Sequence, residues 1–138
     1  MRNKMSPEKY IWDDTEFEHL GWHDNRILAL FFEHKEFKFS LSIDYIYKWE
    51  EDFSGFWVTP SVLSFLNVSE LKMNLMFDNT TDLIIEDIDK GEEKKTPNDL
   101  YITTNYIIKT GVGDISFFST GFNLVFKQDP EFSTSQDF

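Results

Sequence analysis

The sequence predicts a mainly β protein, an antiparallel sandwich or partly open barrel of about eight strands with one or two short helices near the N-terminus. Three observations predict it. Residues 37–45 alternate without a break, Phe37, Phe39, Leu41, Ile43 and Tyr45 against Lys38, Ser40, Ser42 and Asp44. Only an extended strand has a side-chain period of two, and such alternation belongs to an antiparallel sheet with one wet face. Aromatic residues make up 17% of the chain, fifteen of them Phe, and rings favour strands and supply large buried areas. The other apolar runs are short and separated by turn residues, and one open sheet of this size would leave apolar faces wet, so two packed layers are required.

The 138 residues are read as one domain, with 1–12 a loose arm and 129–138 a flexible tail. Residues 13–21 suit one or two helical turns. Asp13 or Asp14 is the N-cap, acids fill the first turn, Gly21 fits C′, and Phe17 and Leu20 dock on the sheet. Trp22–Asn25 leads into a strand over Arg26–Glu33, whose Ile27–Phe32 run is apolar on both faces and predicts a central position under a cover. His34-Lys35-Glu36 connects it, as a hairpin, to the alternating strand. Phe56–Val58 opens another extended segment, and Pro60, which lacks an N–H, marks an edge, a bulge or a break before a strand over Ser61–Phe65. Leu71, Met73, Leu75 and Phe77 point inward from the next strand. Leu83–Ile88 is a short strand, and the charge-rich Asp89–Asp99 reads as an exposed loop. Tyr101–Lys109 is a strand, and Asp114–Phe118 and Phe122–Lys127 form a hairpin through Ser119-Thr120-Gly121.

Composition excludes several function classes. The chain has no cysteine, which rules out disulfides, thiolate metal sites and a cysteine nucleophile and fits a reducing cytoplasm. Its start carries positive charge without an apolar stretch, so no secretory signal is expected, and no apolar run is long enough to span a membrane. A formal net charge of −12 repels nucleic-acid phosphates and anionic membranes and would attract a basic protein partner, the plainer reading being solubility alone.

Two constellations stand out. Trp22, His23 and Asp24, with Asp44 on the neighbouring strand, make a candidate polar pocket. A His beside a carboxylate suits general-base work, and the plainer reading is a cap at the helix–strand junction with Asp44 a solvated strand residue. Trp49 and Trp57, with Phe53 and Phe56, surround Glu50, Glu51 and Asp52. Tryptophan anchors ringed by acids suit a partner rich in Lys and Arg, and the plainer reading puts the rings in the core. His19 and His23 are four apart, but Gly21 between them breaks the shared helical face. The acids Glu86, Asp87, Asp89, Glu92 and Glu93 lack calcium-loop spacing and read as a solvated segment. No catalytic residue, metal site or cofactor is assigned.

The strings Gly21-Trp22-His23-Asp24-Asn25-Arg26-Ile27, Ile43-Asp44-Tyr45-Ile46 with Trp49, and Phe56-Trp57-Val58 with Pro60 carry a resemblance to a family of small uncharacterised bacterial proteins. That family shares Trp-His-Asp, Asp-Tyr-Ile-x-x-Trp and Phe-Trp-Val-x-Pro elements. Residues 13–77 and 114–127 carry the resemblance, the latter through Ser119-Thr120-Gly121-Phe122. It implies a bacterial cytoplasmic setting and no catalytic roles. In size and acidity the family is similar to immunity proteins of bacterial toxin systems. The expectation is a non-enzymatic, immunity-like interaction protein whose acidic face takes a basic partner. The alternative is a small hydrolase or ligand-binding protein built on Trp22, His23, Asp24 and Asp44. An exposed edge strand would also permit a homodimer.

Overall fold

The alternating segment lies at the centre of the molecule. In the computed structural model, which describes residues 4–135, Phe39, Leu41, Ile43 and Tyr45 are all buried on one face of a long strand. The described strands are β1 (Ile11–Asp13), β2 (Arg26–Glu33), β3 (Lys38–Trp49), β4 (Phe56–Leu66), β5 (Ser69–Leu75), β6 (Ile85–Lys95), β7 (Ile102–Thr110), β8 (Gly113–Ser119), β9 (Gly121–Phe126) and β10 (Glu131–Ser133). They form two antiparallel sheets. One runs β1-β9-β4-β3-β2 with β10 also paired to β4, and the other runs β5-β8-β7-β6.

The sheets pack face to face through rings. Phe65 meets Phe117 at 4.6 Å and Tyr106 at 5.2 Å, and Phe39 meets Phe117 edge-on at 5.6 Å. Edge-to-face geometry is what the aromatic quadrupole favours. Burial pushes the Tyr45 and Tyr106 hydroxyls up to about 12. At one corner the sheets are stitched by backbone: Asp24 N–H donates to the Ile85 carbonyl at 2.8 Å, Ile85 N–H to Asn25 at 2.8 Å, and Ile27 N–H to Leu83 at 2.7 Å. The mainly β, antiparallel architecture therefore holds as an open sandwich, not a closed barrel.

Several elements differ from the sequence reading. β2 is an edge strand rather than a central one, with Leu28, Phe31 and Phe32 exposed. Phe37 does not share the inward row. It terminates a one-turn 3₁₀ helix (His34–Glu36) with φ 52°, before β3 begins, and its ring is exposed. The helical turn at Asp14–His19 is also 3₁₀. Asp13 caps it in a capping box with Glu16, which satisfies two of the orphan donors at the helix start.

Pro60 lies inside the continuous strand β4, opposite Asp44. The Pro60 carbonyl accepts from Lys127 N–H at 2.9 Å, so its nitrogen faces the same side, where pairing passes from β9 to β10. The missing donor falls in that gap. Of the charged stretch read as a loop, only residues 96–99 form a turn; residues 89–95 are the second half of β6, an edge strand whose Lys and Glu side chains stand in water, a usual guard on an open edge. β8 and β9 are not a hairpin, because they lie in different sheets and Thr120 carries the chain across. The arm and tail are tied down over the described residues. β1 pairs β9, β10 pairs β4, and Lys4 bridges Glu131. Residues 1–3 of the expected arm and 136–138 of the expected tail lie outside the described residues.

Candidate interaction surface

The four residues of the polar-pocket reading are placed apart. Trp22 is a core residue, 4% exposed, ring to ring with Phe122 at 5.8 Å and Tyr45 at 5.9 Å. Its indole N–H finds no acceptor among the described residues. His23 stands in solvent, with Nε2 3.3 Å from an Asp24 carboxylate oxygen and Nδ1 3.3 Å from the Glu86 carbonyl. Asp24 takes the left-handed backbone, φ 67°, at the corner stitched to Ile85. Asp44 alternates with Ile43 and Tyr45 and so faces the outer side of the sheet, away from Trp22.

Asp44 is also not the solvated residue that the alternation suggested, being only 8% exposed. It lines an outer groove with Val58, Pro60 and Phe132. Burial pushes its carboxyl above the usual range, and the charge of Arg26, its register partner on β2, opposes the shift without cancelling it.

Sequence reasoning missed Asn25. It is fully buried, accepts a hydrogen bond from Ile46 N–H through Oδ1 at 2.9 Å, and donates through Nδ2 to the Gly21 carbonyl at 3.3 Å. β2 ends opposite Asp44, so Ile46 lies beyond its neighbour strand. The Asn25 amide supplies the missing acceptor, as buried backbone donors require. Gly21 N–H in turn donates to the Tyr45 hydroxyl at 3.1 Å. The Gly21–Asn25 segment thus closes the corner of the sandwich. The only signal for this in the sequence was an amide placed just before a strand.

The acidic cluster forms a distinct surface at the β3–β4 connection. Glu50 N–H donates to the Gly55 carbonyl at 3.0 Å, and Phe53 N–H donates to the Glu50 carbonyl at 3.0 Å, so residues 50–55 make an ordered turn. Hydrogen bonds from Ser54 hold the Asp52 carboxyl below its usual range. Glu50 Oε1 accepts from the Trp57 indole N–H at 2.5 Å, and Trp57 packs on Phe132 at 5.3 Å. Phe56 is buried under Trp49, with ring centroids 5.0 Å apart, while Trp49 itself is 42% exposed. Gly55 is buried where any Cβ would strike the Phe132 ring, so β10 can close on the turn.

Phe53 caps this turn. Its ring is 85% exposed and its backbone is left-handed, φ 59°, a conformation that costs a residue with a Cβ about 1–2 kcal/mol. Glu51 and Asp52 precede it in water. The cluster at the 49–57 connection therefore divides. Phe56 is core, Trp57 is half-buried, and Trp49, Phe53, Glu51 and Asp52 face outward.

No group of three or more His, Asp or Glu side chains poised to hold a metal occurs among the described residues, and none of their helices is long and apolar enough to cross a membrane. No protein-family model, curated protein or solved structure matches the chain.

Proposed function

We propose that this protein is a non-enzymatic interaction module that binds a basic protein partner through the turn at residues 49–53. One observation carries the reading: Phe53 is held in water, in a left-handed backbone, by an ordered turn that also presents Glu51 and Asp52. A ring that is 85% exposed adds little packing to the fold, and it is the form a binding anchor takes. Carboxylates around it select a partner with Lys and Arg near an apolar pocket, and the net charge of −12 speeds encounter with such a partner. A bacterial, cytoplasmic, immunity-like role fits the same chemistry. The hydrolase or small-ligand alternative has no comparable support, since Trp22 and Asp44 face opposite sides of one sheet.

The test is affinity capture from the source cell with three baits: wild type, Phe53→Ser and Glu51→Lys. Wild type should retain a basic protein that elutes with salt. Purified with that partner, both variants should bind at least about 30-fold more weakly, the scale of a lost anchor. Equal binding by all three baits would overturn the reading.

A further inference from the structure

The edge of the larger sheet is a second surface, separate from the acidic turn. β2 carries Ile27, Leu28, Ala29, Leu30, Phe31 and Phe32 in succession, a composition suited to a strand covered on both sides. The fold covers only its start. Ile27 N–H is taken by Leu83, and Arg26 bridges Ile84. From Leu28 to Glu33 no backbone partner adjoins its outer side among the described residues. Leu28 is 56% exposed and Phe32 57%. Phe31 is exposed on the outer face. Phe32 stacks on Phe39 at 5.1 Å and, with Phe37, Val68 and Leu71, lines an open apolar cleft of about 320 Å³. Phe37 repeats the signature of Phe53, an exposed ring on a left-handed residue. An open, apolar edge of this kind pairs with another strand unless something blocks it.

Charge selects the occupant. Residues 26–38 carry three basic side chains (Arg26, Lys35, Lys38) against two acidic ones (Glu33, Glu36), a net charge of +1 in a chain of −12. Lys38 lies 3.5 Å from Glu33 and 3.2 Å from Glu36, so the local charges are mutually satisfied. A basic partner finds no excess of negative charge here. A second copy of this acidic chain meets less repulsion here than across the rest of its surface, which holds all of the excess negative charge.

We propose that β2 pairs antiparallel with β2 of a second copy, continuing the larger sheet across a two-fold axis. With the axis through Phe31, Phe31 meets its own counterpart, Leu30 meets Phe32, and Ala29 meets Glu33, so inner-face residues stay with inner-face residues. The bulge between Ile27 and Ala29, and the contact to Leu83, bound the paired segment on its N-terminal side.

The test is sedimentation equilibrium of the full chain at concentrations up to roughly 200 µM, in about 20 mM and about 500 mM salt. A dimer is expected, and it tightens with salt because screening relieves the repulsion between two acidic bodies. Phe31→Lys should weaken it at least about 30-fold, while Tyr101→Lys, on an exposed ring elsewhere, leaves it unchanged. Because the chain has no cysteine, Phe31→Cys gives a clean second readout, a disulfide-linked dimer under mild oxidation. A monomer at every concentration and salt, or a dimer that survives Phe31→Lys and gives no cross-link at Cys, would overturn the proposal. A strand from a different protein on the same edge, with the purified chain monomeric, would overturn it equally.

Discussion

Replacing Asn25 by Ala tests whether the Gly21–Asn25 segment is scaffold. The substitution removes two hydrogen bonds, to Ile46 N–H and to the Gly21 carbonyl. Their net worth is about 1 kcal/mol each. Gly21 is exposed, so water can replace the amide at its carbonyl. Ile46 is buried, and its N–H has no route to water. An orphaned buried donor adds about 1–3 kcal/mol, which brings the expected loss to about 2–4 kcal/mol. That is a large share of the roughly 5–15 kcal/mol by which a domain is stable, and a fall in Tm of roughly 10 °C for a chain of this size. Urea denaturation gives the number directly, and the slope m should not change, because the denatured chain is the same. His23→Ala is the control. Its ring is 72% exposed, and a surface change of that kind stays within about 0.5 kcal/mol. A loss below about 1 kcal/mol for Asn25→Ala, or a larger loss for His23→Ala than for Asn25→Ala, would refute the scaffold reasoning.

Three further outcomes follow from particular residues. Asp44→Asn should raise Tm near neutral pH: burial lifts the Asp44 carboxyl above its unfolded value, so its favourable contribution is complete below about pH 4 and is lost as pH rises through the folded pKa; in melts at several pH values the difference should shrink to nothing toward pH 4, and a variant less stable at pH 7 would contradict this. Gly113→Ala should cost more than about 2 kcal/mol in denaturant titration, because Gly113 has φ 136° and a Cβ there would overlap the Asn74 carbonyl. Phe65→Ala should cost about 3–5 kcal/mol in the same assay, since Phe65 is fully buried among Phe117, Tyr106 and Phe122.

The sequence made the layered antiparallel fold legible because alternation survives wherever one face is dry. β3 shows it plainly, whereas β7 is legible through its β-branched and aromatic content rather than through alternation. It hid what depends on neighbours far along the chain. β2 reads as a central strand because local apolarity cannot say which edges remain open. The second half of β6 reads as a loop because an edge strand needs no apolar face of its own. Asp44 reads as solvated because nothing local announces that Val58, Pro60 and Phe132 close over it. Trp22, His23 and Asp24 drew attention as chemistry, while the residue that organises their segment is the amide of Asn25. The acidic turn was visible as composition, and the conformation that sets Phe53 in water was not.

The 49–53 turn is the proposed recognition surface, and the 21–25 segment is held by hydrogen bonds as scaffold. The most direct measurement is calorimetric titration of the captured basic partner into Phe53→Ser and His23→Ala side by side, with both variants first shown to melt like wild type. Binding lost with Phe53→Ser and retained with His23→Ala is the predicted result. Binding that survives Phe53→Ser and disappears with His23→Ala would contradict the account.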